Sequence, residues 1–184
     1  MRIVCAIFCF VVWLCLAGTG RPSELIFNDL DGIARHPLNP ADKVAAVLFF
    51  YWQDCPVSNG YVPEINRISA NRTNFAFYIV QVDPELTPLT AKEHARKFDL
   101  RPPVLLDPKH QLVKIAKATV TPETVVLGKN GKILYRGRID DLYAALGKKR
   151  AAATKHDLLD ALDAIAGGKP VKKTETKAIG CLIQ

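Results

Sequence analysis

Cys55 ends an apolar run, Phe49-Phe50-Tyr51-Trp52, and is followed by Pro56-Val57-Ser58, a segment able to start a helix. A strand that delivers a thiol to the first turn of a helix sets it among unpaired N–H groups at the positive end of the helix dipole. Both favour the thiolate. The thiolate is the nucleophile in sulfur chemistry, so this spacing points to redox or exchange at Cys55. Ser58 stands where a C-x-x-C motif would place a second cysteine. It can donate a hydrogen bond to the sulfur from one turn away, or cap the helix, but it cannot form a disulfide. Pro56 suits the first helical position, while the adjacent carboxylate of Asp54 works against ionisation.

Three of the five cysteines, Cys5, Cys9 and Cys15, lie in the first twenty residues. There Arg2 is followed by fifteen residues without a charge, Ile3 to Ala17, then by the small residues Gly18 and Gly20 and the polar Arg21-Pro22-Ser23-Glu24. Residues 1–20 read as a secretory signal peptide, too short for a comfortable membrane span. The expectation is an exported protein, periplasmic or extracellular, without an integral membrane segment after cleavage. Only Cys55 and Cys181 then remain, one potential disulfide rather than a framework.

Cofactor and nucleic-acid chemistry find little support. There is no C-x-x-C-H haem site and no paired C-x-x-C zinc pattern, and His36, His94, His110 and His156 lack metal-ligand spacing. No cofactor and no metal are expected. The formal charge of +7 becomes +6 without Arg2. The densest basic groups, Lys148-Lys149-Arg150 and Lys172-Lys173, are not interleaved with aromatics, which argues for a solvated face and against nucleic acid.

The elements that must position Cys55 follow from hydrophobic pattern. Residues 21–43 form a Pro-, Asn- and Asp-rich extension with a short apolar patch, Leu25-Ile26-Phe27. Val44 to Trp52 has the continuous apolar character of a strand buried on both faces. A helix is predicted from Cys55 to about Asn71, with Ile65 and Ile68 inward and Pro63 kinking it. Phe75 to Val82 is a second central strand, and Thr87-Pro88 starts a helix reaching Phe98. Val104 to Leu106 is extended, and His110 to Lys117 fits a short helix. Strands Glu123 to Leu127 and Lys132 to Tyr135 flank an Asn130-Gly131 turn. Thr154 to Asp157 has a capping-box pattern ahead of a helix that Gly167-Gly168 ends. Right-handed crossovers make the first two long strands parallel, and the hairpin adds antiparallel strands.

These residues carry a resemblance. Over residues 44–166 the chain resembles the thioredoxin-like superfamily, and in particular secreted bacterial redoxins of the AhpC/TSA type. Cys55 follows the central strand, Pro63 lies in the first helix, and Thr121-Pro122 precedes a strand-turn-strand unit. Asp54-Cys55-Pro56-Val57-Ser58-Asn59, Thr121-Pro122-Glu123, Tyr135-Arg136-Gly137-Arg138-Ile139-Asp140-Asp141 and Gly180-Cys181 look like one subgroup. The resemblance implies an α/β, thioredoxin-like three-layer fold, a central mixed β-sheet flanked by helices. It divides the chain into a signal peptide (1–20), an extension (21–43), the domain (44–166) and a tail carrying Cys181 (167–184). Both parent active sites are altered. Phe49 stands where thioredoxins carry a buried acid, and Leu48 and Trp52 stand where peroxiredoxins carry proline and threonine.

The resemblance further implies a cis bond at Pro122, with the backbone at Thr121 facing Cys55 and pairing with an extended substrate. Three roles stay open for Cys181: a resolving thiol brought back by a flexible tail, a tether for a partner, or a small hydrophobe packed with Ile179 and Leu182. Arg136 and Arg138 share a strand face and are expected to be balanced by Asp140 and Asp141. The implied activity is thiol–disulfide exchange with protein or small-molecule thiols and disulfides. A thiol peroxidase acting on peroxides and a non-catalytic binding module are the alternatives. Oligomeric state has no signature in the chain.

Overall fold

The structure, a computed structural model, describes residues 25–129 and 131–184. The segment expected to be a signal peptide and Asn130 of the expected hairpin turn lie outside the described residues. No helix among the described residues is long and apolar enough to cross a membrane.

The chain enters through a short hairpin, β1 (Phe27–Asn28) and β2 (Ala34–Arg35). The apolar run becomes β3 (Ala45–Tyr51), in which all seven residues are buried. It leads into α1 (Pro56–Asn71), which contains Pro63. Next come β4 (Ala76–Gln81), α2 (Pro88–Phe98), β5 (Val104–Leu106) and α3 (Gln111–Ala116). Thr87 caps α2 by accepting from the Thr90 N–H at 3.2 Å, and Pro88 supplies a first position that needs no donor. A two-residue strand, β6 (Val120–Thr121), precedes β7 (Glu123–Gly128) and β8 (Ile133–Gly137). After them stand β9 (Tyr143–Ala145), β10 (Lys148–Lys149), α4 (Asp157–Ala166) and β11 (Cys181–Leu182).

The main sheet has five strands in the order β5-β4-β3-β7-β8. β3 pairs parallel with β4 and antiparallel with β7, so the strand ahead of Cys55 is held on both sides. Alternate β3 residues face opposite layers. Val47, Phe49 and Tyr51 pack with Val57, Tyr61, Ile65 and Ile68 of α1 and with Leu158 and Leu162 of α4. Ala46, Leu48 and Phe50 pack with Leu112, Val113 and Ala116 of α3 and with Phe27. This is a thioredoxin-like three-layer fold. Each fully buried large apolar side chain contributes about 1.5–3 kcal/mol, so β3 is the rigid floor of the site.

The local structure departs from the sequence pattern in three places. Thr154 does not cap α4. Its N–H and hydroxyl donate to the Asp141 carboxylate at 2.6 and 2.7 Å, and the helix starts at Asp157 after His156. The β9–β10 hairpin has no counterpart in the sequence reading. The tail, expected to be flexible, lies along the domain. Arg136 N–H donates to the Thr174 carbonyl at 2.9 Å and Thr176 N–H returns to the Arg136 carbonyl at 3.0 Å.

Candidate thiol site

Cys55 is the N-cap residue of α1, in extended conformation (φ −84°, ψ 114°). The turn that delivers it is closed by its own N–H donating to the Trp52 carbonyl at 3.0 Å. Asn59 ties this turn to the helix, donating from its side-chain amide to the Gln53 carbonyl at 2.8 Å. That orientation leaves the Asn59 amide oxygen as an acceptor. It receives the Tyr51 hydroxyl and, at 3.0 Å, His94 Nε2, which must therefore carry the hydrogen. The Tyr51–Asn59–His94 group had no assigned role in the sequence reading. Its signal was the asparagine that closes the D-C-P-x-S-N motif.

The Cys55 residue has no accessible surface. Its thiol donates to the Thr121 carbonyl at 3.1 Å. The Thr121–Pro122 peptide bond is cis, and both residues are buried. On the other side of Thr121 lies the tail. β11 pairs antiparallel with β6, with Cys181 opposite Thr121 and Leu182 opposite Val120. Thr121 Oγ1 donates to the Cys181 carbonyl at 3.4 Å, and Ile183 N–H donates to the Thr119 carbonyl at 3.0 Å. Gly180 permits this approach, because a Cβ there would overlap the Thr121 carbonyl. Thus residues far apart in sequence, Cys55, Thr121, Pro122 and Cys181, form one cluster.

The two cysteines are free thiols, and Cys181 packs against the buried cluster that contains Cys55. Burial pushes Cys55 up, but the Cys181 thiol, the Ser58 N–H and hydroxyl, and the Cys181 N–H outweigh it, leaving Cys55 below the ordinary thiol value. Cys181 moves the opposite way. Burial, the hydrogen bond it gives to Cys55 and the Cys55 charge push it up to about 12. One proton is therefore shared by the pair: Cys55 ionises first, and Cys181 keeps its hydrogen to stabilise the resulting thiolate.

The AhpC/TSA family model matches residues 28–136, more than half of the chain. The chain belongs to the AhpC/TSA family. Among solved structures, it is similar to an uncharacterized conserved protein from Geobacillus kaustophilus, at 24% identity and TM-score 0.75, covering 86% of this chain and 87% of that one. A hypothetical protein from Sinorhizobium meliloti is similar at 21% identity and TM-score 0.69, covering 89% and 91%. A secreted Mycobacterium tuberculosis disulfide oxidoreductase homologous to E. coli DsbE is similar at 17% identity and TM-score 0.55, covering 78% and 96%. These likenesses concern the fold. No curated protein matches the chain.

Other candidate residues of this AhpC/TSA protein are placed as follows. Ser58 is buried and its hydroxyl has no hydrogen-bond partner; it does not cap α1, and its influence on Cys55 is to lower the thiol's pKa. Pro56 is exposed at the helix start. Phe49 stacks on Phe77 with ring centroids 6.1 Å apart, so the place of a buried acid is filled by hydrocarbon. Arg136 and Arg138 are not balanced by Asp140 and Asp141. Arg136 pairs with Glu175 and lies 3.8 Å from Glu123, while Arg138 meets Asp157 at 2.7 Å. Asp140 accepts from the Tyr61 hydroxyl at 2.6 Å, and Asp141 organises Thr154 and Lys155. β8 ends at Gly137, so Arg138 and both aspartates lie beyond the strand that carries Arg136.

Glu64, Asp140 and His156 bring ligand atoms within 4.8 Å of one another. Their carboxylates are already engaged, Glu64 with Arg67 at 2.7 Å and Asp140 with the Leu142 N–H at 2.8 Å. Grooves of 400 Å³ beside Pro63 and 670 Å³ beside α4 contain neither Cys55 nor Cys181. In this family member the tail covers Cys55 and leaves Cys181 partly exposed.

Proposed function

We propose that the protein is an exported thiol–disulfide oxidoreductase whose redox pair is Cys55 and Cys181. The observation that carries this reading is the docking of the tail, which registers Cys181 opposite Thr121, whose carbonyl accepts from the Cys55 thiol. Oxidation joins the two sulfurs and passes two electrons to an external disulfide, which leaves as two thiols. The reverse exchange regenerates the dithiol. Because the tail already sets Cys181 opposite the threonine that Cys55 contacts, the crosslink needs little rearrangement. It closes a loop of over a hundred residues, worth about 5 kcal/mol in the chain-entropy model. Export is supported by the apolar segment behind Arg2, and the substrates are protein or small-molecule thiols and disulfides.

A peroxidase is the second reading, favoured by family membership. Against it, the groups that hold Cys55 down are a thiol, a hydroxyl and backbone N–H groups, and Arg136 and Arg138 are committed to Glu175 and Asp157. The test is direct. After diamide treatment, non-reducing mass spectrometry should find the Cys55 and Cys181 peptides crosslinked. The protein should then turn over insulin or glutathione disulfide with little consumption of hydrogen peroxide. Rapid peroxide consumption would favour the peroxidase. If Cys55→Ser leaves all function intact, the protein is a binding module.

A further inference from the structure

We propose that external thiols exchange with this protein through Cys181, and that Cys55 serves as the enclosed leaving sulfur. The proposal rests on the redox pairing above and assigns the two sulfurs their order of reaction. Cys55 has no accessible surface, and its surroundings are filled on each side that the structure describes. α1 lies behind it, with Val57, Ser58 and Tyr61 buried, the Thr121 carbonyl stands 3.1 Å from its sulfur, and the Cys181 segment covers it. Cys181 is half-buried on the outermost strand of this cluster, and its neighbour Leu182 is 72% exposed. A thiolate attacking a disulfide approaches along the S–S axis, opposite the departing sulfur. From solvent, that path leads to Cys181 with Cys55 behind it. The path to Cys55 runs through the domain.

The chemistry favours the same order. A sulfur that ionises easily leaves faster in exchange, and the Ser58 and Cys181 N–H groups that favour the Cys55 thiolate remain in place while Cys181 holds the incoming sulfur. The first step is R–S⁻ attacking Cys181 Sγ, forming R–S–S–Cys181 and breaking the Cys181–Cys55 bond to release the Cys55 thiolate. A second thiolate, R′–S⁻, attacks the sulfur of R. It forms R–S–S–R′ and frees Cys181, which takes up a proton. The pair thereby accepts two electrons and the incoming thiols are oxidised. A second disulfide, reacting in the reverse sense, restores the crosslink.

This order reverses the assignment that strand-to-helix geometry alone suggests, in which Cys55 would hold the mixed disulfide. It follows from where the tail lies, with Gly180 seated on the Thr121 carbonyl.

The experiment uses the diamide-oxidised protein, mixed briefly with reduced glutathione, acid-quenched and alkylated with N-ethylmaleimide before peptide mapping. The expected result is glutathione on Cys181 and maleimide on Cys55, in about tenfold excess over the opposite labelling. Glutathione mainly on Cys55 would overturn the inference while leaving the redox pair standing. Failure of diamide to join Cys55 and Cys181 would overturn both. Equal labelling would also overturn it, since burial would then not direct attack.

Discussion

Gly180 is seated directly against the carbonyl of Thr121, in a space that no side chain could share. The next residue, Cys181, is thereby drawn to the Cys55 thiol, and the pairing of β11 with β6 depends on this seat. Gly180→Ala should lift the tail without disturbing β3 or α1. Iodoacetamide should then alkylate Cys55 about tenfold faster, the factor supplied by roughly 1.4 kcal/mol of lost docking energy. Diamide crosslinking should fall in parallel. An unchanged alkylation rate would mean that the close approach does not hold the tail.

The shared proton can be titrated. Cys55 is held below the ordinary thiol value against the opposing effect of burial, chiefly by the Cys181 thiol, so Cys181→Ala should move its midpoint upward in ultraviolet thiolate absorbance. The signs for stability are opposite at the two sulfurs. For Cys55, the contribution is present above the ordinary thiol pKa of about 8.5 and is lost as pH falls through its lowered folded value. For Cys181, it is present below the ordinary value and lost as pH rises toward about 12. Urea midpoints of the reduced protein and of Cys181→Ala, measured across this range, check both limbs.

Asn59 should matter more than its half-buried position in the first turns of α1 suggests. Its side chain joins the Gln53 carbonyl, the Tyr51 hydroxyl and His94. Asn59→Ala leaves those groups without their partner, an expected loss of about 1–3 kcal/mol in urea denaturation. The turn carrying Cys55 should show faster amide exchange in the variant.

His94 gives this group a pH dependence. Burial is the main influence, partly offset by the charge of Asp54, and it holds the imidazole below the usual histidine value. The stability that neutral His94 contributes is present above about pH 6.5 and is lost as pH falls through the lowered folded value. His94→Gln, which keeps a donor for Asn59, should therefore show a flatter fall in urea midpoint between neutral and mildly acidic pH than the unsubstituted protein.

Much of the fold was legible in local pattern. The unbroken apolar run at 45–51 could only be a strand buried on both faces, and Thr87-Pro88 and Gly167 mark helix ends by backbone chemistry that acts within one turn. The helix after Cys55 matched its prediction down to Pro63. Features that depend on distant partners were hidden. A strand of two residues, Cys181–Leu182, has no periodicity to read, and nothing local reveals that Gly180 is there for an approach made by Thr121. The β9–β10 hairpin contains Tyr-Ala-Ala-Leu-Gly-Lys-Lys, without alternation. Its anchor is the Tyr143 hydroxyl, which fills the space beside Gly60. Arg136 and Arg138 were expected on one strand face, but Arg138 lies beyond the end of β8, and their acids come from Glu175 and Asp157, which only tertiary folding brings near.

The five-stranded sheet ends in β5 on one side and β8 on the other, and chain segments from opposite ends of the protein lie along both. Asp29 forms a bridge to Leu105, and Glu175 forms a bridge to Arg136. An uncovered outer strand presents unpaired peptide groups that recruit strands from other molecules. Cutting the chain at Gly167 to study the thiol would bare the peptide groups of Arg136 and leave a sheet edge open to self-association. Loss of solubility would then be mistaken for loss of chemistry, and a single methyl group at position 180 is the cleaner probe.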